Sequence, residues 1–142
     1  MENQEEFICP LCEQGKLVAN QSDTEEGSYK GKSFKIDYES SFCTACGLDM
    51  VTPPQAVRNQ ARVRDEQRKI DGLLTSSEIK QIREKLHLSF SEADEIFGEE
   101  TNTFSRFERG EALQSASLDR LLRLANDMPV ILDKLKLLSN MK

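Results

Sequence analysis

The sequence predicts two small domains, an N-terminal β ribbon built around a metal and a C-terminal all-α domain of five helices. The first observation behind this prediction is a pair of C-x-x-C motifs, and the second is a series of helix-capping motifs in the second half of the chain. The chain has 142 residues, 37% of them hydrophobic, and no Trp, which suits two modest cores better than one large core. It has no run of about 18 apolar residues, so we expect no membrane span.

The net charge of −6 is confined to the first part of the chain. Residues 1–52 hold ten acidic residues and four lysines, whereas residues 53–142 hold fifteen charges of each sign. The C-terminal domain can therefore present a basic face, because a bound phosphate responds to the local field. The acidic start of the chain, MENQEEF, lacks the basic and apolar regions of a signal peptide, and we expect a cytoplasmic protein.

Four cysteines mark residues 1–52 as a zinc-binding domain. In the reducing cytoplasm, cysteines are expected as thiolate ligands rather than as disulfides. Two C-x-x-C pairs can supply four thiolates to one structural Zn²⁺, and a closed shell of four leaves no position for a catalytic water. Two disulfides or a redox-active C-x-x-C are the less favoured alternatives. The predicted zinc ligands are Cys9, Cys12, Cys43 and Cys46.

The segment SFKIDYESSF, between the cysteine pairs, predicts a β-strand. Phe34, Ile36 and Tyr38 alternate with charged residues, so they share one face. A turn over residues 27–31 is expected to join this strand to a neighbour in a hairpin. Because apolar residues are few, the metal replaces a large core in the predicted zinc-bound β ribbon.

Residues 53–72 are predicted to be a partly helical, exposed linker. Pro53 and Pro54 end the strand pattern, and pairs with i,i+4 spacing, such as Arg62 with Glu66, favour a helix. The small number of apolar residues indicates a solvated connector. The alternative is a basic arm that contacts phosphates or a partner, since five of these residues are basic.

Residues 73–142 predict five short helices. Capping boxes at Thr75–Glu78 and Ser89–Glu92 begin the first two helices. The third helix runs from about residue 101 to residue 108 and is ended by Gly110, and the fifth begins near Pro129. The apolar faces of the first, third and fourth helices are expected to form the core: Ile79, Ile82, Leu86, Phe104, Phe107, Leu118, Leu121, Leu122 and Ala125.

The third helix separates a polar face from its two phenylalanines. At 100° per residue, Asn102, Arg106 and Arg109 fall within about 60° of one another, with Thr103 at their flank. Asn can pair with adenine and Arg with guanine in the major groove, and Thr can bind a phosphate. With the reversing turn at Gly98, these features predict a helix-turn-helix that binds DNA through the four residues. Taken alone, the polar face is better explained as the solvated side of an amphipathic helix, and the turn before the helix is what favours DNA binding.

Both halves of the chain resemble the MqsA-type antitoxins, a branch of the phage-repressor-like helix-turn-helix proteins. The C-terminal resemblance lies in SEADEIFGEETNTFSRFERGEALQSASLDRLLRLAND, and the N-terminal resemblance lies in CPLCEQGKL and CTACG. The resemblance implies the antitoxin of a bacterial type II toxin–antitoxin system. In that family the zinc domain neutralises a small basic ribonuclease toxin, and the C-terminal domain forms a homodimer that represses the shared operon by binding palindromic DNA. The family's base-reading Asn and Arg correspond to Asn102 and Arg106, and its zinc ligands correspond to the four cysteines.

Two features depart from the family pattern. Many phage-repressor-like relatives carry a glutamine that contacts DNA at the start of the second helix, where this chain has Phe90. Glu99 and Glu100 stand beside the third helix, where they favour its N-terminal dipole but repel phosphates. The acidic N-terminal half, in contrast, suits a basic toxin, because opposite charges attract.

A stand-alone zinc-ribbon helix-turn-helix transcription regulator, without a toxin partner, is the alternative function. An enzyme is not expected, because the sequence shows no nucleophile–base pair, phosphate loop or open metal site. The one histidine, His87, lies near the end of the first predicted helix, far in sequence from both cysteine pairs.

Overall fold

The computed structural model describes residues 7–21 and 23–140. The chain divides into two compact units, with the boundary between Val63 and Arg64. We call them the N-terminal unit and the C-terminal unit. The acidic residues that open the sequence, before Phe7, lie outside the described part of the chain.

Short strands dominate the N-terminal unit. Within its described residues these are β1 Phe7–Ile8, β2 Lys16–Ala19, β3 Asp23–Tyr29, β4 Lys32–Tyr38, β5 Ser41–Cys43 and β6 Asp49–Met50. One antiparallel sheet has the order β1-β2-β5-β6, and β3 and β4 form a separate antiparallel hairpin. The predicted β ribbon is confirmed as two small sheets.

The β3–β4 hairpin contains the strand predicted from the alternating segment. Lys30 and Gly31 form its two-residue turn with φ angles of 50° and 79°, as in a type I′ turn. Gly27, which we expected in the turn, lies within β3 instead and pairs with Phe34. A Cβ at Gly27 would lie 2.6 Å from Cζ of Phe34, so the glycine leaves room for the aromatic ring.

Helix α1, Pro53–Asp71, covers the predicted linker except for its last residue. Its first half belongs to the N-terminal unit. There Gln55 donates to the carbonyl of Ser40 at 3.0 Å, and Asn59 exchanges hydrogen bonds of 2.8 and 2.9 Å with the backbone of Glu39. Gln55 and Asn59 are buried polar residues, which hydrophobic periodicity does not detect. The sequence therefore predicted that residues 53–72 are more exposed than they are in the structure.

The C-terminal unit, as far as residue 140, contains the second half of α1 and five further helices. These are α2 Ser76–Lys85, α3 Phe90–Ile96, α4 Thr103–Glu108, α5 Ala116–Asp127 and α6 Pro129–Ser139. Both predicted capping boxes are present, at Thr75 before α2 and at Ser89 before α3. The predicted all-α fold with five helices after the linker is confirmed, with the end of α1 added to it.

A single hydrophobic cluster lies inside the C-terminal unit. The ring centres of Phe97 and Phe104 are 5.5 Å apart, and those of Phe104 and Phe107 are 5.6 Å apart. Leu86 and Leu121, expected in the core, are only partly buried. The buried members are Leu74, Ile79, Ile82, Leu88, Ala93, Phe97, Phe104, Phe107, Leu118, Leu122, Ala125 and Leu132. Among residues 7–21 and 23–140, none of the helices combines the length and hydrophobicity needed to span a bilayer.

Candidate metal centre and candidate nucleic-acid interface

Each C-x-x-C pair begins a tight turn, and the two turns have the same geometry. The carbonyl of Cys9 accepts from the N–H of Glu13 at 3.0 Å, and the carbonyl of Cys43 accepts from the N–H of Gly47 at 3.1 Å. The closing residues both have positive φ, 59° at Glu13 and 76° at Gly47. This repeated turn brings two sulfurs from each pair to the same place.

The four cysteine sulfurs lie within 4.8 Å of one another. The Sγ atoms of Cys9 and Cys46 are 3.7 Å apart, and those of Cys12 and Cys43 are 3.6 Å apart. Zn–S bonds of about 2.3 Å in a tetrahedron separate the sulfurs by about 3.8 Å, whereas a disulfide needs about 2.05 Å. All four cysteines are free thiols. The donor set therefore fits one Zn²⁺ in a closed tetrahedral site, as the sequence predicts.

Backbone N–H groups stabilise a thiolate at this centre. The N–H groups of Cys46 and Ala45 donate to Sγ of Cys43 at 3.4 and 3.3 Å, and they lower the pKa of Cys43 to about 6. The N–H of Leu48 lowers the pKa of Cys46, but desolvation and the three neighbouring sulfurs raise it to about 12. The neighbouring sulfurs raise the pKa of Cys46 because closely spaced thiolates repel one another. A divalent cation removes the repulsion, because it stabilises every thiolate around it.

The two cysteine turns approach each other too closely for a side chain at position 15. A Cβ on Gly15 would lie 2.4 Å from Sγ of Cys43 and 2.8 Å from the backbone nitrogen of Ala45. The carbonyl of Gly15 also accepts from the N–H of Cys9 at 2.9 Å, which ties the first turn to the following strand. Glycine, which has no Cβ, is therefore the residue that fits between the two cysteine turns.

Helix α4 and the residues at its two ends bring the predicted DNA-facing residues to the surface of the C-terminal unit. The helix begins at Thr103 and not near residue 101 as predicted, so Asn102 precedes it and Arg109 follows it. Phe104 and Phe107 are buried in the core beneath it. The four predicted contact residues lie at or near the surface: Asn102, Arg106 and Arg109 are exposed, and Thr103 is half-buried. The helix thus has an anchored apolar side and an accessible polar side.

Asp94, which no sequence pattern singles out, fixes the start of α4. Asn102, the residue before α4, has a left-handed backbone with φ 69°, and its side chain makes no capping bond. The buried carboxylate of Asp94 instead accepts from the N–H groups of Asn102 and Phe104, at 2.9 and 2.8 Å. Because Asp94 lies in α3, no local capping pattern signals this contact. The side chain of Asn102 is therefore not used for capping.

The sequence matches the profile of MqsA, the antitoxin component of a bacterial toxin–antitoxin system, over residues 7–136. The chain belongs to the MqsA antitoxin family. A curated relative, antitoxin MqsA of Escherichia coli (strain K12), is 29% identical over 129 residues, which cover 90% of this chain and 98% of that protein. The match spans both cysteine pairs and α4. Membership in the family gives this chain the general role of an antitoxin.

In this MqsA-family antitoxin, Phe90 has a packing contact. The guanidinium carbon of Arg83 lies 4.2 Å from the centre of the Phe90 ring, a cation–π arrangement. Arg83 also binds both carboxylate oxygens of Glu108, at 2.6 and 2.9 Å. Phe90 therefore stacks on an ion pair that joins α2 to α4.

Glu99 and Glu100 lie in the turn before α4 of this antitoxin. Partial burial raises the pKa of Glu99, and the nearby carboxylates of Asp94 and Glu100 raise it further. Glu100 is exposed, and its carbonyl accepts from the N–H of Thr103 at 3.2 Å. The repulsion of phosphates by these acids stays a prediction.

Basic residues of α1 contact other parts of their own unit. In the N-terminal unit, Arg58 and Arg62 each place a nitrogen 2.8 Å from the carboxylate of Glu39. In the C-terminal unit, Arg64 donates to the carbonyl of Gly110 at 2.9 Å. A role of α1 as a basic arm would therefore have to compete with these intramolecular contacts.

Proposed function

We propose that this chain is the antitoxin of a type II toxin–antitoxin pair, neutralises a small ribonuclease toxin and represses its own operon by binding palindromic DNA. The observation that carries the proposal is α4, with Asn102, Arg106 and Arg109 exposed above two buried phenylalanines, in a chain that matches an antitoxin family over residues 7–136. We infer a binding protein that works in the cytoplasm and not an enzyme, because these roles require recognition rather than catalysis.

Zinc has a structural role in this proposal. The four cysteines would hold the ion, which cross-links two turns in a unit with little apolar core. Because four thiolates complete the coordination shell, the ion has no position for a substrate. The zinc ion thereby maintains the shape of the unit that meets the toxin.

Operator recognition is assigned to α4. The amide of Asn102 can pair with N6 and N7 of adenine, and the guanidinium of Arg106 can pair with O6 and N7 of guanine. Arg109 is a candidate for a second guanine, and Thr103 is a candidate for a phosphate contact. Asn102 and the two arginines would read the base sequence, and Thr103 would position the protein on the DNA backbone.

A palindromic operator requires a homodimer with two-fold symmetry. Exposed apolar side chains near the end of the chain support such a dimer: Val130 and Leu137 of α6 are 65% and 61% exposed. Leu124, Met128 and Leu138 are also exposed. Val130 and Leu137, seven positions apart, lie on one side of α6, and exposed apolar side chains on one side can form an interaction surface. In the dimer, two copies of α4 would lie about 34 Å apart, one turn of DNA.

The substitution Arg106→Ala tests operator recognition. The probe is a duplex of the DNA directly upstream of the gene, and the affinity is measured at several salt concentrations. Loss of one bidentate base contact should weaken binding by about 1–3 kcal/mol, roughly 5- to 160-fold. Arg120→Ala removes another exposed arginine, on α5, and should leave the affinity close to that of the wild type. Equal weakening by both substitutions would contradict the assignment of α4.

The four-stranded sheet provides a candidate face for the toxin. Its antiparallel register brings Ile8, Val18 and Phe42 to one side, and all three are exposed. The same unit carries the exposed acidic residues Glu25 and Glu26 on β3. Apolar area in an acidic unit suits a partner whose surface is basic, because hydrophobic contact and charge attraction then act together.

Native mass spectrometry of the tagged full-length protein, purified gently from its host, tests the toxin partner. We expect a dimer with two zinc ions and a bound small basic protein. Val18→Lys should lose that protein but keep the zinc, whereas Val57→Lys, at an exposed apolar position on α1, should keep both. If the wild-type protein elutes with no toxin-sized partner, the stand-alone regulator is the better description.

A further inference from the structure

The loop that follows α4 has a firmly held backbone. Gly110 has φ 73°, and the N–H of Glu111 donates to a carbonyl of α4 at 2.8 Å, as in a Schellman helix end. From α1, Arg64 donates to the carbonyl of Gly110 at 2.9 Å, and Arg68 donates to the carbonyl of Ala112. The backbone on both sides of Glu111 is therefore fixed, and the side chain starts from a defined position beside α4.

The carboxylate of Glu111 contacts both arginines of the proposed reading surface. Its oxygens lie 3.1 Å from Nε and 3.2 Å from Nη2 of Arg109, so the pair is formed along one side of the guanidinium. Nε of Arg106 is 4.0 Å from the same carboxylate. A guanidinium has five N–H donors, so this side-on pair leaves its outer end for a further acceptor.

The carboxylate of Glu111 has different effects on the binding of guanine and of phosphate by Arg109. Guanine presents two uncharged acceptors, which the outer end of Arg109 can bind while the pair with Glu111 stays intact. A phosphate is an anion, and a carboxylate about 4 Å away repels it. Glu111 therefore opposes phosphate contacts of Arg106 and Arg109 more strongly than it opposes their guanine contacts.

We propose that Glu111 is a specificity-determining residue, which keeps Arg106 and Arg109 from forming contacts with the phosphates of unrelated DNA. The inference rests on the proposed DNA binding by α4. Without the carboxylate, both arginines pair with any DNA backbone, and sequence-independent affinity rises. Binding to the operator gains little, because Arg109 at the same time loses the partner that orients it.

The substitution Glu111→Gln in the full-length, zinc-loaded protein tests this role. Two duplexes of equal length and composition serve as probes: the DNA directly upstream of the gene and a shuffled version of it. The affinity for the shuffled duplex should rise about tenfold, and its dependence on salt should steepen by about one to two counterions, since each freed arginine pairs with a phosphate. The affinity for the upstream duplex should change about threefold or less, so the ratio of the two affinities falls.

Glu100→Gln is the matched control, because Glu100 is an exposed acid at the opposite end of α4. The removal of its charge should raise both affinities alike and leave their ratio and the salt dependence unchanged. An unchanged ratio in Glu111→Gln, or the same change in both variants, would overturn the proposal. Because the side chain of Glu111 is 38% exposed, the variant should fold normally, and circular dichroism checks this.

A wild-type protein that does not prefer the upstream duplex would overturn operator binding itself, and this inference with it. That result is distinguishable from failure of the inference alone, since it is seen before any substitution is made. If the wild type prefers the upstream duplex and Glu111→Gln retains the full preference, only the role of Glu111 is lost.

Discussion

At the residue scale, His87 occupies a backbone position that favours glycine. It lies two positions after the last residue of α2, with φ 57°, and the N–H of Leu88 donates to the carbonyl of Arg83 at 3.1 Å across it. An L-residue with a Cβ is less stable in this left-handed conformation by about 1–2 kcal/mol. His87, the one histidine of the sequence, is exposed and belongs to the C-terminal unit. The four cysteines belong to the N-terminal unit.

His87→Gly should stabilise the C-terminal unit. Glycine removes the cost of the left-handed conformation, and the larger freedom of the unfolded chain offsets part of the gain, so we expect about 0.5–1 kcal/mol. Urea unfolding monitored by helical circular dichroism measures the difference. His87→Ala is the control, since alanine keeps a Cβ at the same φ. If the alanine variant is as stable as the glycine variant, the backbone argument is wrong.

Glu99 gives the stability of the C-terminal unit a defined dependence on pH. Its folded-state pKa is raised, first by burial and then by Asp94 and Glu100, so its ionised form is less stable in the folded than in the unfolded chain. This cost is fully present above the raised pKa and disappears as the pH falls below the ordinary Glu pKa of about 4.3. Glu99→Gln should therefore raise the free energy of unfolding at neutral pH and lose that advantage at lower pH.

Urea unfolding of the Glu99→Gln variant at pH 7 and near pH 4 measures this effect. Glu95→Gln, which changes an exposed acid of α3, controls for a general effect of net charge. If Glu99→Gln raises the free energy of unfolding equally at both pH values, the ionised carboxylate of Glu99 is not the source of the cost.

At the scale of elements, a buried arginine of the second half of α1 binds α4 and the loop that follows it. Arg68 is fully buried, and it donates to Gln114 at 2.9 Å and to Asp65 at 2.8 Å. It also donates to the backbone carbonyls of Phe107 and Ala112, at the end of α4 and in the loop beyond it. The charge is therefore neutralised and its donors are used, as a buried guanidinium requires.

Arg68→Met should destabilise the C-terminal unit strongly. The substitution leaves Asp65 without its buried partner and removes the Arg68 donor from Gln114 and from the carbonyl of Ala112, so we expect a loss of about 3–5 kcal/mol. Lys69→Met, at the exposed neighbouring position, should change the free energy of unfolding by less than about 0.5 kcal/mol. Urea denaturation compares the two, and a similar small effect of both would show that the arginine network contributes little.

At the scale of the whole molecule, the boundary between the two units falls inside α1, after Val63. The two halves of this helix therefore depend on different interactions. Residues 53–63 are held by the loop between β4 and β5 of the N-terminal unit through Gln55 and Asn59, whereas residues 64–71 are held by the C-terminal unit through Arg64 and Arg68. The N-terminal half depends in turn on zinc, because the metal replaces a large core there.

Removal of zinc by a strong chelator should therefore unfold one unit and half of α1. Amide hydrogen exchange of the full-length protein is the measurement. Exchange should become fast over residues 7–63 and stay slow over residues 64–71 and the core of α2 and α5, and added Zn²⁺ should restore protection. Loss of protection throughout the chain would show that the C-terminal unit also depends on the metal. Unchanged protection of the strands would show that zinc does not hold their fold.

Features that depend on near neighbours in the sequence could be predicted. The C-x-x-C turns, the two capping boxes and the alternation in β4 each involve residues a few positions apart, and the structure has all of them. The polar residues of α1 could not be placed in this way. Gln55 and Asn59 are buried because they bind the backbone of a loop, and no hydrophobic period marks that kind of contact.

The sequence by itself determined the set of four thiolates, the helical character of the second half and the two phenylalanines that α4 buries, because spacing within one turn or one helix specifies each. Only the tertiary structure decided which distant residues hold α4 in place. Asp94 binds the start of α4 from eight positions away, and Arg68 reaches Gln114 across 46 positions. Such contacts arise from the packing of helices, and the packing depends on the whole core and not on any local pattern.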